Sequence, residues 1–163
     1  MNRIAMAILL VLICTPVFAG GFGIQADWNE FTDTNNGGDF GIGARVQIGS
    51  GLGVILSFDY YFVSDSNLAS LLDTKFYEFN GNLAYWFPTA VVKPYFGGGI
   101  GFARATFNFE DLLDTSKSEL GINILGGVKI TGPVDPFIEF RYVFYPSDSS
   151  FTNRYVLTGG ILF

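Results

Sequence analysis

The sequence of 163 residues contains no histidine, one cysteine and two methionines, and only 15% of its residues are charged. Histidine is the usual general base of hydrolytic enzymes, so its absence excludes most familiar hydrolytic mechanisms. A charge-poor chain rich in aromatics lacks the signature of disorder. Outside the N-terminus there is also no apolar run of about 18 residues, the length that a transmembrane helix needs.

The sequence is instead rich in glycine and aromatic side chains. It has 21 glycines, 49% hydrophobic and 17% aromatic residues, and a mean hydropathy of +0.36. In a chain without a spanning helix, this composition indicates membrane β-structure. The length suits one domain. The net charge of −6 argues against nucleic acid as a partner, because nucleic-acid binding requires a basic patch.

Residues 1–19 have the organisation of an export signal. Arg3 supplies a basic start, Ile4–Cys14 form a short apolar core, and Pro16 interrupts it before a cleavage site after Ala19. A membrane-anchoring helix is the alternative, but the apolar stretch is short and stops at a proline. We therefore expect a cleaved signal peptide at 1–19 and a β-barrel domain at 20–163. The only cysteine leaves with the signal, which suits an oxidising compartment.

From residue 20 onward the hydrophobic pattern has a period of two. Eight segments of about ten residues alternate apolar side chains with polar or small ones, and this length suits tilted strands that cross a bilayer. The alternation slips near Arg104, where we expect a bulge or the end of the membrane zone. Short connections are predicted near 49–51, 88–93 and 132–136, and long polar ones near 30–39, 64–74, 110–118 and 146–153. Short turns on one side and long loops on the other are typical of outer-membrane barrels.

The sense of the alternation follows from the volume of the side chains. The lumen of an eight-stranded barrel only just holds side chains, so the bulky apolar faces must point outward into lipid. We therefore predict an all-β fold, an eight-stranded antiparallel up-and-down transmembrane β-barrel. A soluble lipocalin-like barrel with its apolar faces inside is the alternative.

The opposite faces of the strands carry a polar set that should fill the lumen. Its members are Gln25, Asp27, Arg45, Gln47, Asp59, Glu78, Asn80, Asn82, Asn123, Lys129, Glu139 and Arg141. Opposite charges in so narrow a space should pair, because an isolated buried charge is very costly. We interpret this set as a structural plug, and the alternative is an ion pathway or a gate that works by exchange of ion-pair partners.

No catalytic, cofactor or metal site is predicted. The glycines of Gly97–Gly101 lack the following helix of a nucleotide-binding loop, and glycine in a narrow barrel instead makes room for facing side chains. The carboxylates of Glu110 and Asp111 lie in an acidic loop, where solvation is the simpler interpretation.

The predicted long loops are acidic. Their acidic residues are Glu30, Asp33, Asp39, Asp65, Asp73, Glu110, Asp111, Asp114, Glu119 and Asp148, against the basic Lys75, Lys117 and Arg154. Such loops keep an exposed rim hydrated. Two further interpretations remain open: divalent cations that bridge the loops to lipopolysaccharide phosphates, and a basic partner at the cell surface.

The export signal, the PYFGGGIGFA segment (Pro94–Ala103) and the last strand RYVLTGGILF together resemble small OmpA/OmpX-like outer-membrane barrels of Gram-negative bacteria, in the Opa-like superfamily. The resemblance implies a multi-pass barrel in contact with outer-membrane lipids and lipopolysaccharide. It also implies a C-terminal signal read by the barrel assembly machinery, which would comprise Tyr155, Leu157, Ile161 and Phe163. Thr158 stands where the family often has glycine, which weakens the match in detail.

The leading hypothesis is a non-enzymatic outer-membrane barrel with a structural or surface-interaction role. A monomer is expected, because a closed barrel exposes no strand edge. A small porin-like channel for ions or solutes, a lipid-modifying enzyme and a soluble binder are the alternatives. The enzyme is disfavoured because outer-membrane enzymes rely on histidine, and this sequence has none.

Membrane fractionation tests the location and the architecture together. We expect the protein in the outer-membrane fraction, with Gly20 as its first residue by intact mass and with different gel mobility before and after boiling. Recovery from the soluble periplasm without such a shift would reverse the assignment of the inner and outer faces.

Overall fold

A computed structural model describes residues 20–32, 38–62, 72–109, 115–146 and 151–163. It contains eight strands: β1 Gly20–Phe31, β2 Asp39–Ile48, β3 Leu52–Phe62, β4 Leu72–Trp86, β5 Val92–Phe109, β6 Thr115–Ile130, β7 Asp135–Phe144 and β8 Arg154–Leu162. Each strand pairs antiparallel with its neighbours along the chain, and β1 pairs with β8 to close the barrel. The predicted fold is confirmed. Within the described ranges, no helix has the length and apolarity to cross a membrane.

Closure depends on the register between β1 and β8. The pairing runs from Gly23 opposite Leu162 to Phe31 opposite Arg154. Backbone contacts continue beyond the strand, because Phe163 donates its N–H to the oxygen of Phe22 at 2.7 Å. Lipid offers no hydrogen-bonding partners, so this seam gives the backbone groups of both end strands the partners that they need.

The two faces of the strands divide as the period of two predicts. The large outward side chains are apolar; they include Ile24, Trp28, Phe58, Phe79, Leu83, Phe96, Ile100, Ile122, Ile124, Ile138, Phe140 and Leu157. Aromatic pairs such as Tyr85 with Phe87 and Tyr142 with Phe144 lie near strand ends. Amphipathic rings near strand ends suit the two interfaces of a bilayer.

Three strands extend further toward the long loops than the sequence pattern predicts. β4, β5 and β6 have 15, 18 and 16 residues, because their pairing continues past the apolar zone. Of the two interpretations given for Arg104, the bulge is wrong: the ladder runs without interruption from Tyr77 through Arg104 to Ser118. Arg104 points outward and its guanidinium lies 3.4 Å from the Ser116 hydroxyl, beyond the apolar part of the strand.

Several charges assigned to loops lie in strands. Glu30, Asp39, Asp73, Lys75, Lys117, Glu119 and Arg154 all belong to strands. Arg154 is the clearest correction, since its side chain is completely buried in the lumen. The other acidic loop residues, Asp33, Asp65, Glu110, Asp111, Asp114 and Asp148, lie outside the described residues.

Glycine solves two local problems. The turn between β2 and β3 has positive φ at Gly49 (100°) and Gly51 (81°), a conformation that glycine adopts without strain. Inside the barrel, a Cβ at Gly127 would lie 2.6 Å from the ring of Tyr95, and a Cβ at Gly160 would lie 2.7 Å from the ring of Phe137. The expectation for Gly97–Gly101 is confirmed at Gly101, where a Cβ would lie 2.5 Å from the amide oxygen of Asn80.

A charge on the outer face should destabilise the barrel according to its depth. Ile100 is exposed in the middle of β5, and Val92 is exposed at its short-turn end. We expect Ile100→Lys to lower the free energy of unfolding by about 2–4 kcal/mol, and Val92→Lys by about 0–1 kcal/mol. Urea titration of the protein refolded in lipid vesicles measures both values. Equal losses would contradict the placement of Ile100 near the bilayer midplane.

Candidate functional site

The lumen contains three layers of interacting side chains. The layer nearest the short turns is built on Arg45 of β2 and Glu139 of β7, whose side chains form an ion pair at 2.7 Å. The hydroxyl of Tyr95 donates to the same carboxylate oxygen at 2.8 Å. The Arg45 guanidinium also lies 4.3 Å from the ring centroid of Phe137. All these groups are buried, so the ion pair is held by both charge and ring contacts.

The central layer surrounds the carboxylate of Asp59. Its oxygens accept hydrogen bonds from Gln25 at 2.6 Å, from Ser57 at 3.1 Å and from Asn80 at 3.3 Å. Arg141 adds a charged donor at 3.4 Å. With four donors on one carboxylate, the cost of its burial is largely offset.

Amides and a second carboxylate extend this layer. Asn123 donates to Asn80 at 2.8 Å and to Asn82 at 3.2 Å, which links β6 to β4. Thr158 donates to Asp27 at 2.5 Å across the β8–β1 seam. The central network therefore connects strands from both halves of the chain.

The layer nearest the long loops is built on Glu78 and Arg154, which form an ion pair at 2.5 Å. Glu78 also lies 3.8 Å from Arg141 of the central layer. The Arg154 guanidinium lies 4.8 Å from the ring centroid of Phe76 and 5.9 Å from that of Tyr145. The aromatic rings shield the ion pair from solvent at this end.

The structure brings together most of the residues predicted for the lumen. Arg45 and Glu139 form one layer, and Asp59, Asn80, Asn82, Asn123 and Arg141 another, with Glu78 between this layer and Arg154. Lys129 is separate: it lies at the short-turn mouth, where it pairs with Asp135 at 3.2 Å.

Three important lumenal residues escaped the sequence analysis. Arg154, Tyr61 and Tyr95 point inward. Each is an even number of positions along its strand from other inward residues, as the alternation requires. Val156 and Thr158 have the parity of Arg154, for example. The signal was therefore present, but Arg154 was counted among the basic residues of the long loops.

The four residues of the predicted assembly signal share the outer face of β8 and the chain end. Tyr155, Leu157 and Phe163 are exposed, and Ile161 is half-exposed. Tyr155 packs between the rings of Phe140 and Tyr142 on β7. The four side chains form one apolar row on the outer face of the closing strand.

The described lumen offers ion pairs and hydrogen bonds rather than a metal centre. No group of three or more acidic, cysteine or histidine side chains suited to a metal ion occurs within the described ranges. The guanidinium groups of Arg45, Arg141 and Arg154 pair with carboxylates of other strands.

Comparison with known proteins identifies the family. The sequence matches the outer membrane protein beta-barrel domain over residues 5–151. The chain belongs to this family. It is thus an outer-membrane β-barrel protein. No curated protein matches the sequence.

Solved structures share the fold at low sequence identity. Neisserial surface protein A is 22% identical, with a TM-score of 0.62 over 86% of this chain and 94% of that one. Ail of Yersinia pestis is 16% identical, with a TM-score of 0.62 over 88% and 95%. The N-terminal barrel of Pseudomonas aeruginosa OprF is 15% identical, with a TM-score of 0.60 over 88% and 97%.

Loss of one partner of the Arg45–Glu139 ion pair should destabilise the barrel, because the other partner is then a buried charge without a counterion. Removal of both charges should be much less costly. We expect Arg45→Met to lower the free energy of unfolding by about 3–5 kcal/mol, because it leaves the Glu139 carboxylate buried without its cation. The double variant Arg45→Met with Glu139→Met should recover much of that loss.

A double-mutant cycle by urea unfolding in vesicles measures the coupling. Glu139→Met alone supplies the fourth corner. Purely additive losses would show that the two side chains do not interact in the folded barrel.

Proposed function

We propose that this outer-membrane barrel is a non-enzymatic protein with a structural or surface-interaction role and a lumen that does not conduct. The observation that carries the proposal is the set of three layers, in which side chains from facing strands span the lumen. Arg45 of β2 reaches Glu139 of β7 at 2.7 Å, and Arg141 of β7 reaches Asp59 of β3 at 3.4 Å. Such contacts leave no open channel in a barrel of eight strands.

Apolar clusters support the plug at both ends. Near the short turns, Trp86 and Tyr95 pack with Ile55, Ala84 and Leu125. Near the long loops, the second cluster comprises Tyr61, Phe76, Ala103, Ala105, Val143, Tyr145 and Val156, and Phe151 packs against it. An ion that crosses the lumen would have to displace both apolar clusters as well as the charged layers.

The non-enzymatic part of the proposal rests on chemistry. The sequence contains no histidine to act as a general base. The buried carboxylates of Asp59, Glu78 and Glu139 are engaged by guanidinium groups. They are therefore placed to hold strands together rather than to reach a lipid substrate.

The sequence also suggests which partners the protein meets during export, during assembly and at the cell surface. We propose that residues 1–19 are removed on export, and that Tyr155, Leu157, Ile161 and Phe163 are read by the barrel assembly machinery. Ail, a barrel of the same fold, has been crystallised with the heparin analogue sucrose octasulfate. The present chain has a net charge of −6, which favours a basic surface partner over such a polyanion.

One observation favours a gated small pore as the second candidate function. Glu78 lies 2.5 Å from Arg154 and 3.8 Å from Arg141, so its carboxylate has two guanidinium partners within a short distance. In a gated pore, the Glu78 carboxylate would move from one guanidinium group to the other when the lumen opens.

Planar-bilayer recordings distinguish the plug from the gate. We expect no discrete current steps from the wild-type barrel, and none from Glu78→Gln, because the remaining layers still close the lumen. The exposed Lys117→Met is the matched control for reconstitution. Reproducible steps that Glu78→Gln alters and Lys117→Met leaves unchanged would establish the gated pore. Lipid A and phospholipid profiles that change on overexpression would overturn the non-enzymatic proposal.

A further inference from the structure

The short-turn mouth of the barrel contains a cavity of about 620 Å³ that the plug does not fill. Gln47, the turn at Gly49–Gly51, Trp86, Lys93 and Lys129 are among its lining residues. The cavity lies outside the Arg45–Glu139 layer, on the side that faces the periplasm in outer-membrane barrels. It is therefore open to periplasmic solutes and adjoins the inner leaflet of the membrane.

Two lysines face this cavity from directly opposite positions. Lys93 of β5 and Lys129 of β6 are register partners, so their side chains start from neighbouring backbone positions on one face of the sheet. Like charges directly opposite each other destabilise an antiparallel pair. An anion between them would turn this repulsion into two attractive contacts.

No described residue forms an ion pair with Lys93 at this mouth. The described inward side chains here provide three cations, and two of them are paired: Arg45 with Glu139 at 2.7 Å and Lys129 with Asp135 at 3.2 Å. Lys93 makes no hydrogen bond or ion pair to any described residue. Among the described side chains of the cavity, its half-buried ammonium is a cation without an ion-pair partner.

Trp86 lies in the cavity wall, next to the two lysines. Trp86 is 4% exposed, and its indole Nε1 has no hydrogen-bond partner among the described residues. A buried donor without a partner costs free energy that an acceptor would recover. The ammonium groups of Lys93 and Lys129 can only donate hydrogen bonds, so they select a ligand that offers acceptor oxygens.

We propose that the periplasmic mouth binds a phosphate-type oxyanion between Lys93 and Lys129. A phosphate offers several acceptor oxygens, and lysine binds phosphate as a point charge. The ligand is either a free phosphate from the periplasm or the phosphate of an inner-leaflet lipid headgroup. Tyr85 and Phe87 line the outer side of the same cavity, where a lipid would contact the protein.

Fluorescence of Trp86 provides a direct test with inorganic phosphate as the probe. The sequence has two tryptophans, so Trp28→Phe leaves Trp86 as the single reporter. In that background, with the refolded chain in zwitterionic detergent, we expect a saturable change of emission with phosphate and none with chloride at equal ionic strength. Lys93→Met and Lys129→Met should each weaken binding by about tenfold or more, equivalent to about 1.4 kcal/mol.

Lys117→Met is the matched control, because Lys117 lies on β6 at the long-loop end and is exposed. It should leave phosphate binding unchanged. Heat-dependent gel mobility verifies that each variant is folded. A response that does not saturate, or that is identical in Lys93→Met, would overturn the proposal.

Thermal stability gives a second readout that does not depend on fluorescence. A ligand that binds only the folded state raises the melting temperature with its concentration. Without phosphate, Lys93→Met should be at least as stable as the parent, because the repulsion from Lys129 is removed. With phosphate, only the parent should gain stability. A loss of stability in Lys93→Met without phosphate, together with an unchanged gain on its addition, would show that Lys93 is only structural.

Nanodiscs distinguish the two sources of phosphate. Free phosphate as the ligand predicts the same titration in phosphatidylglycerol and in phosphatidylcholine discs. The phosphate of an anionic lipid predicts that phosphatidylglycerol discs alone change Trp86 emission and block the response to added phosphate, because the choline of phosphatidylcholine neutralises the charge of its headgroup. Absence of a Lys93-dependent signal in both discs and detergent would overturn the site for either source.

Discussion

The hydrocarbon core of a bilayer offers no hydrogen-bonding partners, and the architecture of this barrel follows from that constraint. Every strand must pair on both sides, so the first strand must meet the last. The β1–β8 seam meets this need through a ladder from Gly23 to Phe31 on one strand. Once eight strands close, the outer face must be apolar and the lumen must be narrow. The period of two along each strand expresses both requirements at once.

The narrow lumen then determines what the inward face contains. Large inward side chains need glycine opposite them, as at Gly127 beneath Tyr95 and at Gly160 beneath Phe137. Charged groups must be satisfied within the same space, so guanidiniums meet carboxylates from distant strands. These cross-barrel pairs stabilise the closed form that the seam creates. The polar network and the hydrogen-bonded seam therefore depend on each other, and neither would persist in an open sheet.

Periodicity was sufficient to predict the fold, the strand number and the facing of the side chains, because alternation is a property of each strand alone. It could not identify partners. Arg45 and Glu139 are 94 residues apart, and only the closed register brings them within 2.7 Å. The ends of the strands could not be predicted from periodicity either, because strand pairing outside the membrane does not require apolar residues. For this reason Arg154 was counted with the loops although it is buried. The slip of the pattern near Arg104 was likewise compatible with a bulge or with the end of the membrane zone, whereas the strand continues there in a regular ladder.

The two ends of the barrel differ in a way that bears on function. At the long-loop end, the Glu78–Arg154 pair is enclosed by aromatic rings, and its charges are matched. At the short-turn end, Glu139 and Asp135 pair with Arg45 and Lys129. Lys93 lies beside a cavity and has no ion-pair partner among the described residues. A purely structural plug has no use for a half-buried charge without an ion-pair partner, since hydrophobic or neutral residues would fill the space at lower cost. The asymmetry therefore separates the two roles: the centre of the lumen maintains the barrel, and its periplasmic mouth is the end equipped to bind.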